Sequence, residues 1–246
     1  MDNRIKRACS TLLLAAGVAG CAFSRSPKTP MDRLSYGTDG ERGSTLIVFL
    51  PGRGGAAKDF ESQGFVEASL ARDPSIEMVA VDAHFGYYRT RTVVERLWED
   101  VVLPARESGY GEIWLVGTSM GGFGVLAFCN EHADAITGVV LLGPYLGPSD
   151  IIADIEASGG LAEWAPSGET GGFEELWAWL KGYPEGKERP EMILAFGEQD
   201  RLKSGQEVLA AALPAENVLR SDGGHGWREW RPLWNEILEL RFGKQS

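Results

Sequence analysis

Ser119 stands in Gly117-Thr118-Ser119-Met120-Gly121, between the apolar run 112–117 and a glycine-rich run over 119–131. A serine hydroxyl is a weak nucleophile until a base takes its proton, and imidazole is the commonest base. The chain has three histidines, His84, His132 and His225. His132 falls at the far end of the helix expected after Ser119, so it should point away from the serine as a capping or surface residue. His225 lies in SDGGHGW, a loop whose glycines let the backbone present the ring. An imidazole base needs a carboxylate to fix its tautomer. Asp200, in GEQD just past the apolar run 191–196, is the first choice and Glu198 its rival. Asp222 is too near His225 along the chain to sit behind its ring. In the order Ser119, Asp200, His225, these residue types point to nucleophilic acyl transfer.

That chemistry develops negative charge on a substrate oxygen, which backbone N–H groups must meet. Met120, directly after the serine at a helix N-terminus, is one expected donor. The other is expected from LPGRGG (50–55), with the Arg53 amide preferred and Gly52 and Gly54 beside it. This loop lacks the G-x-x-x-x-G-K-[ST] pattern of a phosphate loop. In VDAHFGYYRT, His84 either lines a substrate pocket with Phe85, Tyr87 and Tyr88 or packs beneath a cap. No histidine or cysteine spacing suits a metal, so neither metal nor other cofactor is expected.

These residues need a scaffold that brings positions 81 and then 25 apart together. Apolar runs at 45–50, 76–81, 112–117, 139–143 and 191–196 read as buried strands, with a shorter run at 216–220. Helix candidates at 57–71, 91–103, 119–131, 204–213 and 227–241 alternate with them. Pro104 is expected to bend or end the second of these. Continuous apolar strands alternating with helices indicate α/β architecture: a mainly parallel sheet of about six strands, covered on both faces. The G-x-S-x-G match then lies between a strand and a helix, the setting a nucleophile elbow requires. Residues 144–190 interrupt the rhythm with helix candidates at 149–157 and 172–181. They carry Trp164 and Trp177, which either line an apolar pocket under a lid or staple the insertion to the body.

With 24 Lys+Arg against 35 Asp+Glu, the net charge is -11, which argues against a nucleic-acid partner. Only the first segment is locally basic: Arg4, Lys6 and Arg7 precede a small, apolar stretch at 8–20, the layout of an export signal. Val18-Ala19-Gly20-Cys21 resembles the lipobox of bacterial lipoproteins. That resemblance implies cleavage after residue 20 and lipidation of Cys21. It also implies attachment to the cell envelope, with Ala22 favouring an outer membrane and its periplasmic face. Residues 21–43 then read as an anchored tether and lead-in, and 44–246 as the folded domain. Cys129 is left alone in an apolar helical run, so no disulfide framework forms.

The combination LPGRGG, GTSMGG, GEQD and GGHGW, in that order over residues 44–241, resembles the α/β-hydrolase superfamily, near its small, capped, esterase-like members. The resemblance implies a serine hydrolase cleaving small-molecule or lipid carboxylic esters through an acyl-enzyme on Ser119. The same constellation serves acyltransferases. A catalytically silent, membrane-tethered binding domain on this scaffold is the reading from a different class.

Overall fold

Six apolar stretches lie side by side with parallel register, and a seventh strand borders them. A computed structural model describes residues 25–37, 43–168, 172–183 and 189–242. The strands are β1 (Arg33–Tyr36), β2 (Thr45–Leu50), β3 (Glu77–Val81), β4 (Glu112–Thr118), β5 (Gly138–Leu142), β6 (Glu191–Gly197) and β7 (Val218–Ser221). They run in the spatial order β1-β3-β2-β4-β5-β6-β7, and β1 alone is antiparallel to its neighbour. The sheet therefore has seven strands rather than about six. The added strand, RLSY, is short, polar and mostly exposed, so it carries no apolar run to announce it.

Alternation explains how the sheet buries both faces. Along β2, Leu46, Val48 and Leu50 enter one core layer while Ile47 and Phe49 enter the other. Along β4, Ile113 and Leu115 oppose Trp114 and Val116 in the same way. Successive strand side chains point to opposite faces, so a strand buried on both sides must be apolar throughout.

The first layer is covered by α6 (Met120–His132), by α9 (Lys203–Ala210) and by a long helix built in three parts. These parts are α4 (Val93–Leu97), a π-helical turn (Trp98–Val102) and α5 (Leu103–Glu107). Pro104 does not end this helix. Proline has no N–H to give the carbonyl four residues back, and the wider π turn falls just before it. The Asp100 carbonyl accepts instead from the Arg33 guanidinium. The opposite layer is covered by α1 (Asp59–Ser62), α2 (Phe65–Arg72) and α10 (Trp227–Arg241). There Phe49, Phe60, Phe65 and Trp234 pack as stacked and edge-on rings.

Residues 1–24, including Cys21 and the expected signal segment, lie outside the described residues. From Arg25 onward the expected tether lies against the body. Arg25 pairs with Asp82, Lys28 exchanges backbone hydrogen bonds with the Tyr87 hydroxyl, and Met31 is buried. A free linker therefore does not describe 25–37. No helix among the described residues is long and apolar enough to cross a membrane.

Strand order reverses at β2, which has β3 on one side and β4 on the other. Open α/β sheets keep their ligands outside the carboxyl ends of strands at such a switch point. Leu50 pairs level with Gly117, so the turn after β2 and the turn after β4 emerge next to each other.

Candidate active site

Ser119 follows β4 at once and has φ 51 and ψ -114, conformations rarely adopted by residues with side chains. Three backbone hydrogen bonds hold it there. The Ser119 N–H donates to the Leu142 carbonyl at 2.9 Å, and the Ser119 carbonyl accepts from the Tyr145 N–H at 2.9 Å and the Gly122 N–H at 3.0 Å. The flanking glycines answer to close approach: a Cβ on Gly117 would meet the Gly121 carbonyl, and one on Gly121 would meet the Leu50 carbonyl. Strand therefore passes into α6 in a single residue. The serine stands at the positive end of a helix whose first N–H groups have no intrahelical acceptors.

The loop after β7 delivers His225. Its Nε2 lies 2.9 Å from Ser119 Oγ, and its Nδ1 lies 2.8 Å from Asp200 Oδ2. Asp200, past the end of β6, has a fully buried side chain. Burial alone would push its carboxyl up. The His225 hydrogen bond, the Leu202 N–H, the His225 charge and the Gln206 amide outweigh that and hold it below the usual carboxylate range. An ionised Asp200 accepts from Nδ1–H, which leaves Nε2 as the lone-pair nitrogen facing the serine hydroxyl.

Two residues that the sequence reading passed over complete this arrangement. Gln206, buried on α9, donates through Nε2 to Asp200 Oδ2 at 3.2 Å and to the Pro144 carbonyl at 3.3 Å. Trp230 packs edge-on to the His225 ring, with centroids 5.0 Å apart. The only sequence signal for Gln206 was a polar residue within an otherwise apolar helix face, six positions after Asp200.

Glu198, the rival acid, faces away from His225. It pairs with Lys203 and, at 3.3 Å, with Arg220, and the Lys203 hydrogen bond lowers its pKa. His132 stacks on Trp98 at the far end of α6, with centroids 4.4 Å apart. Cys129 is buried in the core, and burial pushes its thiol far up.

Beside Ser119 opens a cavity of about 580 Å³, lined by Met120 and Arg53 among others. Met120 is the first residue of α6, and Arg53 sits in a turn closed by the Gly55 N–H to Gly52 carbonyl bond. Aromatic walls come from Phe85, Tyr88, Phe123, Tyr145 and Phe173.

Four residues offered for the pocket, His84, Tyr87, Trp164 and Trp177, are buried away from it. The insertion contributes α7 (Ser149–Ala157) and α8 (Gly172–Lys181), and its tryptophans staple it to the body. Trp164 is buried with its indole N–H on Asp154, and Trp177 is buried with its indole N–H on the Leu146 carbonyl. An acceptor offsets the cost of burying an indole N–H, and both acceptors belong to the excursion itself. His84 caps α3 (Phe85–Arg89), accepting the Gly86 N–H on Nδ1, and tilts against Tyr87. Burial, with the nearby Arg25 charge, holds its imidazole below the ordinary histidine range, which keeps Nδ1 an acceptor.

The fold recurs among solved structures of low sequence identity. A ferulic acid esterase is 16% identical with a TM-score of 0.55, covering 81% of this chain and 85% of its own. A monoacylglycerol lipase from Paleococcus ferrophilus is 18% identical with a TM-score of 0.55, covering 85% and 97%. The Staphylococcus aureus fluorophosphonate-binding serine hydrolase F is 15% identical with a TM-score of 0.56, covering 86% and 98%. No curated protein matches the sequence. A family model described as the alpha/beta hydrolase family matches residues 47–243, which take in most of the sheet, the elbow and the loops of Asp200 and His225 but not β1. The chain belongs to the alpha/beta hydrolase family.

Proposed function

We propose that this protein is a serine hydrolase that cleaves carboxylic esters through an acyl-enzyme on Ser119. The observation that carries the reading is the unbroken relay from Ser119 Oγ to His225 to buried Asp200, opening on an aromatic cavity. Ser119 Oγ attacks the ester carbonyl while His225 Nε2 takes its proton. The same nitrogen then hands that proton to the departing alcohol. Water, deprotonated by His225, attacks the acyl-enzyme and releases the acid, restoring the serine. Asp200 holds the ring's tautomer and stabilises its charged form. The Met120 and Arg53 amides face the oxygen on which negative charge grows, and each donor is worth about 3 kcal/mol in such a transition state.

Aromatic walls accept an apolar acyl or aryl arm on such an ester, and two of the structural neighbours are named an esterase and a lipase. At their identities these names bear on fold, and the substrate class rests on the site's chemistry. The lipobox-like Val18-Ala19-Gly20-Cys21 supports envelope attachment through an acyl chain on Cys21, with the hydrolase domain facing the periplasm. Metabolic labelling with an alkynyl fatty acid, lost in Cys21→Ala, tests that attachment.

A fluorophosphonate probe tests the catalytic reading directly. Labelling of the folded protein should vanish in Ser119→Ala and fall sharply in His225→Ala. Hydrolysis of 4-nitrophenyl acetate should fall with it, by about 10⁴ in Asp200→Asn, and stay within twofold in Glu198→Gln. Unchanged labelling in Ser119→Ala would place the nucleophile elsewhere.

A further inference from the structure

The cavity over Ser119 has cationic walls in an acidic chain. The protein carries 35 Asp+Glu against 24 Lys+Arg. Yet the described residues lining this cavity include Arg53, Arg89 and Arg201 and no Asp or Glu. The three come from separate elements: the turn after β2, the end of α3, and the position after Asp200. Arg53 lies over the Phe85 ring, 5.2 Å from its centroid. Burial and the Asp150 charge push the Tyr145 hydroxyl up, and the Arg53 charge acts against them.

Arg89 and Arg201 are exposed at the rim, and neither forms an ion pair with a described carboxylate. Arg96, Arg220 and Arg241 are by contrast all paired, the first with Glu95, Glu99 and Asp100. A second cavity, of about 440 Å³, shares Tyr145, Arg201 and Leu202 with the first and runs on between α7 and α9. Its one described acidic lining residue is Glu156, so Arg201 stands at the junction of the two spaces. Asp200, directly before Arg201 in the chain, is buried and already engaged by His225, Leu202 and Gln206.

We propose that the cavity selects esters bearing an anionic group, a carboxylate or a phosphate, on an apolar or aromatic arm, with Arg89 and Arg201 receiving the anion. Clefts lined by one sign of charge with low-dielectric walls concentrate the opposite ion. Here five aromatic rings supply those walls and three guanidinium groups supply the sign. Arginine also offers forked donors suited to both oxyanions. The arm lies against the rings while the ester carbonyl sits at Ser119. Only the ester in this statement rests on the hydrolase reading, and the charge preference can be read without turnover.

The test is a matched set of ligands titrated calorimetrically into the intact protein at low ionic strength: 4-phenylbutyrate, 4-phenylbutyl phosphate and the neutral 4-phenylbutanamide. At least one anion should bind about tenfold more tightly than the amide, and comparison of the two anions identifies the preferred headgroup. Raising salt to about 0.3 M should erode the ratio in the wild type, because exposed charges are screened over a few ångströms there. The double variant Arg89→Gln/Arg201→Gln should bring the ratio below about threefold. Equal binding of amide and anions overturns the proposal, as does a ratio that survives the double substitution, or no anion binding at 5 mM. Fluorophosphonate labelling of Ser119 without anion preference would remove only this inference. Anion preference without labelling would remove the catalytic reading and leave the anion site standing.

Discussion

Gly143 is the backbone position on which the Asp200–His225 pair depends most directly, and Gly143→Ala measures that dependence. The glycine follows β5 with φ 54. Its N–H is tied to the Ala195 carbonyl at 2.8 Å, and the preceding Leu142 carbonyl is tied to the Ser119 N–H. The backbone therefore has little freedom to relax. A Cβ here would lie 2.9 Å from Trp230 Nε1, 3.0 Å from Asp200 Oδ2 and 3.3 Å from His225 Nδ1. A side chain in this left-handed region costs about 1–2 kcal/mol. Overpacking adds about 1–3 kcal/mol, and the stiffer unfolded chain returns about 0.4–1 kcal/mol. The net loss of stability is then about 2–3 kcal/mol.

Displacing Asp200 and His225 by a few tenths of an ångström should also lower kcat about tenfold, since misplacement by 1 Å can cost about a hundredfold. Gly109→Ala is the control. Gly109 has φ 85, but nothing lies within 4 Å of its would-be Cβ, so it carries the backbone penalty without the crowding. Urea denaturation and kcat for 4-nitrophenyl acetate on both variants separate the two effects. Gly109→Ala should lose about 1 kcal/mol with kcat unchanged. If Gly143→Ala matches it in both readouts, the pair has slack and the contact argument is wrong.

Gln206→Leu removes one of the donors on Asp200 Oδ2, so kcat should fall about threefold to tenfold with KM unchanged. Global stability should shift by about 1 kcal/mol or less, because Gln206 Oε1 is itself buried without a partner. A KM change with kcat intact would assign Gln206 to substrate binding instead. The Tyr88 hydroxyl is buried and unpartnered, with its ionisation pushed far up by burial. Tyr88→Phe should therefore leave stability unchanged or raise it by about 1 kcal/mol, and a loss beyond that would reveal a missed partner. Asp200 has a lowered pKa in the fold, so its contribution to stability is complete above the ordinary value of 3.8 and is lost as pH falls through the lower folded value. Unfolding free energy measured between about pH 2 and 6 should rise with pH more steeply in the wild type than in Asp200→Asn. Parallel curves would mean that Asp200 is not held ionised by its partners.

The central strands were legible because a strand buried on both faces has no polar alternation to confuse with a helix. β2 and β4 are nearly uninterrupted runs of Leu, Ile, Val and aromatic residues, broken only at their ends. β1 was illegible for the converse reason. RLSY borders the sheet and is mostly exposed, so its pairing with β3 is set by backbone hydrogen bonds and by anchors such as Arg33 on the Asp100 carbonyl. Pro104 does not end its helix because a helix can lose a donor without stopping, provided another group satisfies the orphaned carbonyl. That group was 67 residues away in the chain.

The site divides along the same line. Ser119, Asp200 and His225 could be picked out because each follows a strand and is framed by glycines or by a sharp turn, local features that a sequence displays. The cavity wall has no such frame. Tyr145 and Phe173 reach it from either side of α7, Phe123 from one turn inside α6, and Arg89 from the end of a five-residue helix. On sequence alone Trp164 and Trp177 either line the pocket or staple the insertion, and their indole N–H groups distinguish the two. Their acceptors, Asp154 and the Leu146 carbonyl, lie within the insertion. The insertion thus spends its largest rings on holding itself in place and presents Phe173 and Tyr145 to the substrate. Substrate preference in this chain should accordingly change with Phe173, Tyr145, Arg89 and Arg201, while changes at the two tryptophans should act through stability.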